Sequence, residues 1–316
     1  MHYAIGDVHG CYDDLMALVG KIEERDPEAR FIFVGDFVDR GPKVYETIRW
    51  MMEHITEDGK YQTVCGNHED QLISWFPVFA RWWYIGRSEM PDRFPGTYYD
   101  FDQMLVDHQM VDVKKVAPII SFFQSLPVEK SIKVETAGGP VEYKIVHAWY
   151  PDQKLRFKDQ ESFREYCIWE RPPQFQGNKS GDYIIIHGHT PTITSYMSET
   201  SPPGLIGYRE NAINIDGGCT FAHMAPKFPC MLCAICLETL EEIYPYSLKD
   251  RFRMVNPSIS QQELDTHVAW YEKAFLQYDN PYREAMRRRC GYVSSAVSEK
   301  EIKENKENMA VGQKNP

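Results

Sequence analysis

Within the first 75 residues one pattern occurs three times: a short apolar run, a polar turn, then an amphipathic stretch with helical spacing. Tyr3-Ala4-Ile5 leads into Gly6-Asp7-Val8-His9-Gly10 and then Leu15, Leu18, Val19 and Ile22. Phe31 to Val34 leads into the turn Gly35 to Gly41, followed by Pro42 at a helix-start position and Val44, Ile48, Met51 and Met52 on one face. Tyr61 to Val64 leads into Gly66-Asn67-His68-Glu69, then Leu72, Ile73 and Phe76. Strand, turn and helix in threefold succession predict βαβ units around a sheet. In open α/β sheets, sites form beyond the carboxyl ends of the strands, where all three polar turns fall. The strands act as stiff supports, and the charges of Asp36, Asp39 and Arg40 sit at a strand tip.

The later sequence predicts further short strands with polar ends. Glu142 to Val146 ends at His147, Tyr183 to Ile186 ends at His187-Gly188-His189-Thr190-Pro191, and Ala212 to Ile215 ends at Asp216-Gly217-Gly218. Cys230 to Leu237 follows as one more apolar strand. Regular long helices do not separate these strands, so they predict a second sheet packed on the first. Residues 74–125 form an aromatic-rich helical insertion around "WFPVFARWWY", with a proline loop "MPDRFPG", and are expected to pack against the body. The helical stretch 260–290 places Trp270, Tyr271, Phe275 and Tyr278 on a partial stripe and ends at Arg287-Arg288-Arg289. From about Ser294, alternating Lys and Glu with few bulky apolar residues predict a disordered tail.

A net charge of −11 argues against a nucleic-acid backbone or an anionic membrane surface as the main partner. No apolar run approaches the roughly 20 residues that cross a bilayer, and strand-like sequence begins at once, so a cytoplasmic protein is expected. Cys230, Cys233 and Cys236 have a spacing that can hold a metal. On a strand, however, residues three apart face opposite sides, so Cys233 would point away from the other two.

Collected, the strand tips carry Asp7, His9, Asp36, Asn67, His147 and His189. Oxygen and imidazole donors without thiolate suit Mn²⁺, Fe or Zn²⁺. Asp36, on the middle of the three early strands, is placed to bridge two ions. Such a pair, roughly 3.5–4 Å apart, can clamp both oxygens of a phosphoryl displacement and generate a nucleophile from water.

The ordered set Gly6-Asp7-Val8-His9-Gly10, Gly35-Asp36-Phe37-Val38-Asp39-Arg40-Gly41 and Gly66-Asn67-His68-Glu69 resembles the signature of the calcineurin-like metallophosphoesterases. The Asp39-Arg40-Gly41 form resembles their phosphoprotein phosphatase branch. Val146-His147-Ala148-Trp149-Tyr150-Pro151 and Gly188-His189-Thr190-Pro191 resemble later motifs of the small bacterial and bacteriophage lambda serine/threonine protein phosphatases. The resemblance covers roughly residues 1 to 240. It implies an α/β fold, a two-sheet β-sandwich flanked by helices in four αββα layers. On that basis residues 1–250 would be the catalytic domain, 251–293 a helical extension and 294–316 the tail.

The same resemblance implies the site roles. Asp7, His9 and Asp36 would hold one divalent ion, and Asp36, Asn67, His147 and His189 the other, with Mn²⁺ foremost and Fe or Zn as alternatives. His68 would be the general acid, oriented by Asp39. Arg40 and Arg171, the latter within Ile168-Trp169-Glu170-Arg171, would grip phosphoryl oxygens. His187 is expected outside the ligand set. The implied activity is phosphomonoester hydrolysis, foremost that of a serine/threonine protein phosphatase acting on a phosphoprotein, with a dinucleoside polyphosphate or other small phosphoester as the alternative substrate. Hydrolases of symmetrical diadenosine tetraphosphate share the early motifs but often carry Gln where this chain has His9. Conversely, Trp82, Trp83 and Tyr84 could stack an adenine.

Overall fold

The structure, a computed structural model, describes residues 1–85, 99–152, 155–171, 181–194, 202–276 and 280–292. The loop 90–96, Tyr278 and the expected tail from residue 294 lie outside the described residues.

The three early repeats fold as predicted. Strands β1 (His2–Ile5), β2 (Arg30–Phe33) and β3 (Tyr61–Thr63) pair in parallel, and helices α1 (Tyr12–Arg25), α2 (Val44–His54) and α3 (Asn67–Ile85) follow them. Leu15, Leu18, Val19 and Ile22 are buried on α1, and Val44, Ile48 and Met51 on α2, whereas Met52 is exposed at the edge of that face. Helix α2 starts at Val44, two residues after Pro42.

The predicted aromatic insertion is helical and packs. Trp75 and Phe79 on α3 meet Phe101 and Met104 of α4 (Tyr99–Asp107) and Val116, Ile120 and Phe123 of α5 (Val113–Gln124) in one core. Trp82 and Trp83 lie against the same core, while Tyr84 and Ile85 are exposed.

The second sheet contains β4 (Glu129–Thr136), β5 (Gly139–Val146), β6 (Ile184–His187), β7 (Gly207–Arg209) and β8 (Ala212–Asn214). Helix α6 (Gln160–Trp169) covers its outer side. The first sheet is completed by β9 (Ala234–Cys236), antiparallel to β1, and β10 (Glu242–Ile243). The two orders are β10-β9-β1-β2-β3 and β4-β5-β6-β8-β7. Only Ala234–Cys236 of the predicted strand 230–237 is regular. Cys230 has a φ of 39°, and its neighbours bond instead to loop groups: Met231 N–H to Gly204 O at 3.1 Å and Gly6 N–H to Cys233 O at 3.0 Å.

Period-2 alternation explains the layers. Tyr3, Ile5, Phe31 and Phe33 face the helices α1, α2 and α3. Ala4, Ile32 and Val34 face the other way, onto Tyr143, Ile145, Ile184, Ile186 and Ile213 of the second sheet. Val146, Ile185 and Ala212 face outward, onto Cys167 of α6. Strands buried on both faces read as continuous apolar runs, and each large side chain so buried contributes roughly 1.5–3 kcal/mol. The result is the expected four-layer arrangement, two mixed sheets between helices. Cys233 and Cys236 accordingly enter different cores. Near the C-terminus, α7 (Leu248–Val255) and α8 (Gln261–Tyr271) pack on Leu205 and Met231, and Met286 of α9 (Pro281–Arg289) enters the core between the sheets. Among the described residues no helix is long and apolar enough to cross a membrane.

Candidate metal centre

The first two turns are braced against each other by backbone bonds. Val8 and His9 N–H donate to Asp36 O at 3.0 and 2.8 Å, and Gly10 N–H to Phe37 O at 2.8 Å. The third turn joins through Glu69. Its carboxylate accepts from Asp36 N–H (2.9 Å), Phe37 N–H (2.8 Å) and Gly66 N–H (3.0 Å). In return Asp36 Oδ1 accepts His68 N–H at 3.0 Å, placing a carboxylate on the first turn of α3, where the helix dipole favours negative charge. His9, Asp36, Asp39, Arg40 and His189 all have φ between 44° and 69°. Side-chain-bearing residues adopt that region only when their surroundings enforce it. Gly188 is required for a different reason: a Cβ there would lie 1.9 Å from Asp7 Oδ1.

All six predicted donors converge, and all are buried. Asp36 is central. Its Oδ2 lies 3.4 Å from His9 Nε2 and 3.8 Å from His68 Nε2, and its Oδ1 lies 3.4 Å from His147 Nε2. Two groups of potential ligand atoms share it: His9, Asp36 and His68, and Asp7, Asp36 and His147. Asn67 Oδ1 joins the second side, 2.8 Å from His147 Nε2 and 2.7 Å from His189 Nδ1. His189 N–H donates to Asp7 Oδ2 at 3.0 Å. Arg40 lies on the other side, its Nη1 2.7 Å from His9 Nε2 and its Nη2 2.9 Å from His68 Nε2. His68 Nδ1 is 2.6 Å from Asp39 Oδ2. Arg171 stands further out, its Nη1 donating to Thr190 Oγ1 at 2.8 Å, next to His189. His187 is outside the cluster, edge-on to Trp149 at 5.0 Å.

The hydrogen bonds of the imidazoles orient their lone pairs. His9 Nδ1 bonds Val38 O and His147 Nδ1 bonds Val34 O, each at 2.8 Å. Carbonyls only accept, so both rings carry the proton on Nδ1 and present Nε2 to the centre, the state a metal ligand needs. Burial pushes the pKa of His9 well below its ordinary value and that of His189 down to about 2, with His147 adding to the second shift. Burial also lowers His187, to about 4. Burial opposes charge on Asp36, but the neighbouring histidines outweigh it and hold its carboxyl well below the usual range. Asp7 goes the other way: burial, then the charges of Asp216 and Asp36, push it well up. Burial raises Asp216 to about 6, and burial with the Asp36 charge raises Glu69 to about 7.

These residues fit a divalent cation. Three buried carboxylates repel one another, and Asp7 Oδ1, Asp216 Oδ2 and His189 Nε2 are buried without a hydrogen-bond partner. Asn67 Oδ1 and the Nε2 of a neutral His147 both accept yet lie 2.8 Å apart, with His189 Nδ1 within 3.2 Å of each. A positive charge relieves both conditions, and hard oxygen with imidazole nitrogen is the donor chemistry of Mn²⁺, Fe or Zn²⁺. Two contributors carried no role in the sequence reading. Glu69 closes the turn Gly66-Asn67-His68-Glu69, and Asp216 ends a strand as the other donors do. The carbonyls of Val34 and Val38 leave no trace in a sequence.

The family model described as calcineurin-like phosphoesterase matches residues 3–224. Among curated proteins, the chain is 28% identical over 246 residues to an asymmetrical bis(5'-nucleosyl)-tetraphosphatase of Halalkalibacterium halodurans, covering 71% of this chain and 89% of that protein. It is 26% identical over 196 residues to serine/threonine-protein phosphatase 2 of Salmonella typhimurium, covering 62% and 78%. Over a shorter span of 73 residues it is 42% identical to a symmetrical bis(5'-nucleosyl)-tetraphosphatase of Neisseria meningitidis, covering 23% of this chain and 25% of that protein.

Proposed function

This chain belongs to the calcineurin-like phosphoesterase family, a class of metal-dependent hydrolases, and on that premise we propose that it hydrolyses a dinucleoside polyphosphate. The observation that carries phosphoester hydrolysis is the shared position of Asp36, between the Asp7–His147 side and the His9–His68 side, with Arg40 facing the latter. The substrate class is supported by the tetraphosphatase relatives, one of them matched over most of its length. A serine/threonine phosphoprotein is the second reading, favoured by His9 and by the Salmonella relative.

In this reading Asp7, His9 and Asp36 would hold one divalent ion, and Asp36, Asn67, His147 and His189 the other. When bound, such ions supply Lewis-acid polarisation of the phosphoryl group and lower the pKa of water towards neutrality. The chain's own groups do the rest. The Arg40 fork matches two phosphoryl oxygens, and Arg171 adds a second guanidinium from the Thr190 side. His9 and His68 differ in what faces Nδ1. A carbonyl faces that of His9, whose ring burial keeps neutral, whereas the Asp39 carboxylate faces that of His68 and accepts a hydrogen bond from it. His68 can therefore donate its Nε2 proton to the departing oxygen, while Asp39 fixes the ring. Residues 1–250 form the catalytic unit of this proposal.

The test is a rate comparison, with added Mn²⁺, on diadenosine tetraphosphate and on a phosphoserine peptide. A kcat/KM at least tenfold higher on the dinucleotide supports the proposal, and the reverse order selects the phosphoprotein. His68→Gln is expected to lower kcat by about 10²–10⁴-fold with metal content unchanged. Loss of metal in that variant would instead make His68 a ligand.

A further inference from the structure

The C-terminal helices hold the loop 219–230 beside the candidate site: His267 Nε2 of α8 lies 3.1 Å from Lys227 O, and Arg251 of α7 binds the loop's two ends. Arg251 on α7 is only 6% exposed. Its Nε donates to Pro229 O at 3.0 Å, and its Nη2 to Cys219 O at 3.1 Å and Cys230 O at 2.6 Å. Its Nη1 is ion-paired with Asp14 Oδ2 of α1 at 3.2 Å, and its Cζ lies 5.9 Å from the centre of the Tyr246 ring. The three carbonyls stand at the two ends of the loop 219–230. One guanidinium thus ties α7, α1 and both ends of that loop.

The loop touches the site in two places. Cys219 Sγ donates to Asp7 O at 3.4 Å and Val8 O at 3.5 Å, in the first turn. The Phe221 ring lies 5.8 Å from Arg40 Cζ. Arg40 Cζ thus stands over that ring, a cation–π contact made beside its N–H contacts with His9 and His68. A buried arginine is weak evidence for stability, because desolvation opposes the pairing. Here its donors are spent on geometry, closing a loop whose first turn leans on Arg40.

We propose that Arg251 is a positioning residue for phosphate recognition: by closing the loop 219–230 it holds Phe221 against Arg40 and fixes the direction of that fork. The inference rests on Arg40 being the phosphoryl grip. Lys cannot replace Arg251, since a single ammonium does not span both loop ends.

The test uses the full-length, Mn²⁺-loaded protein with para-nitrophenyl phosphate for kinetics and inorganic phosphate as the binding probe in calorimetry. Arg251→Met alone leaves the buried Asp14 carboxylate without its cation, so the variant is Asp14→Asn combined with Arg251→Met, beside Arg251→Lys and Phe221→Ala. We expect KM to rise and phosphate affinity to fall by about tenfold, short of the about hundredfold that a 1 Å misplacement can cost, with kcat within about twofold and metal content unchanged. Adding Phe221→Ala to the double variant is expected to produce no further loss, because both act through one contact. Unchanged phosphate affinity in Phe221→Ala, or losses that add in full, overturns the proposal, and the Phe221 variant decides the matter if the double variant does not fold. A wild-type protein that neither binds phosphate nor turns over the aryl ester would overturn the reading of Arg40 itself, a result distinct from an active wild type with indifferent variants.

Discussion

The turns after β1, β2 and β3 deliver Asp7, His9, Asp36, Asp39, Arg40, Asn67 and His68 from closely spaced sequence, whereas the second sheet adds His147 and His189 from strands far apart in the chain. The means of support differ too. The early turns brace one another through backbone bonds and Glu69. The second-sheet histidines are placed against the first sheet: His147 on Val34 O, and His189 on Asp7 Oδ2. The first sheet is thus a self-supporting half-site, and the second is registered onto it by the site groups themselves.

This comparison predicts unequal losses. Asp36 touches both halves, so Asp36→Asn is expected to lower turnover of an aryl phosphate by about 10³-fold and to release metal, read by elemental analysis. His189→Ala, which removes one member of the second half, should cost about 10–10²-fold and respond to added Mn²⁺. Equal and unrescued losses would mean the halves are a single unit, and the distinction would fall.

The same contrast explains what the sequence made legible. Strands buried on both faces and followed by amphipathic helices give strong periodic signals, as Phe31 to Val34 and α2 do. Edge strand β4 is fainter: Ile132 and Val134 alternate with Ser131, Lys133 and Glu135, but Glu129 and Lys130 carry no apolar partner and Val134 alone is fully buried, so the pattern is too short to mark a strand. The regular part of 230–237 is short for another reason. The backbone of Cys230 turns left-handed and gives its carbonyl to Arg251, a partner 21 residues away that no local pattern reveals. At the site, ligand-type residues at strand tips were visible. Glu69 was not, because its task is to satisfy three backbone N–H groups set together only by folding.

Glu69→Gln sharpens the comparison with a smaller effect. The amide has one acceptor oxygen where the carboxylate has two, and its NH₂ would meet one of the three N–H donors. The expected result is about a tenfold loss in kcat/KM and a stability loss of about 1–3 kcal/mol in urea unfolding. If activity falls without any change in stability, Glu69 takes part in the chemistry and the first half-site is not self-supporting in the sense described.

The smallest effect belongs to His187, two residues from His189 on the same strand end. Parity puts Ile184 and Ile186 between the sheets and Ile185 on the outer face, and His187 follows Ile185 outward to meet Trp149. Gly188 and the left-handed His189, with a φ of 69°, then turn the chain inward. His187→Leu keeps an apolar group against Trp149 and loses one aromatic contact, about 0.5–1.5 kcal/mol of stability. Turnover and metal content should stay within about threefold of wild type. A loss near that of His189→Ala, measured on the same aryl phosphate, would show that the outer face of β6 feeds the site, and the second half would then need the same internal bracing as the first.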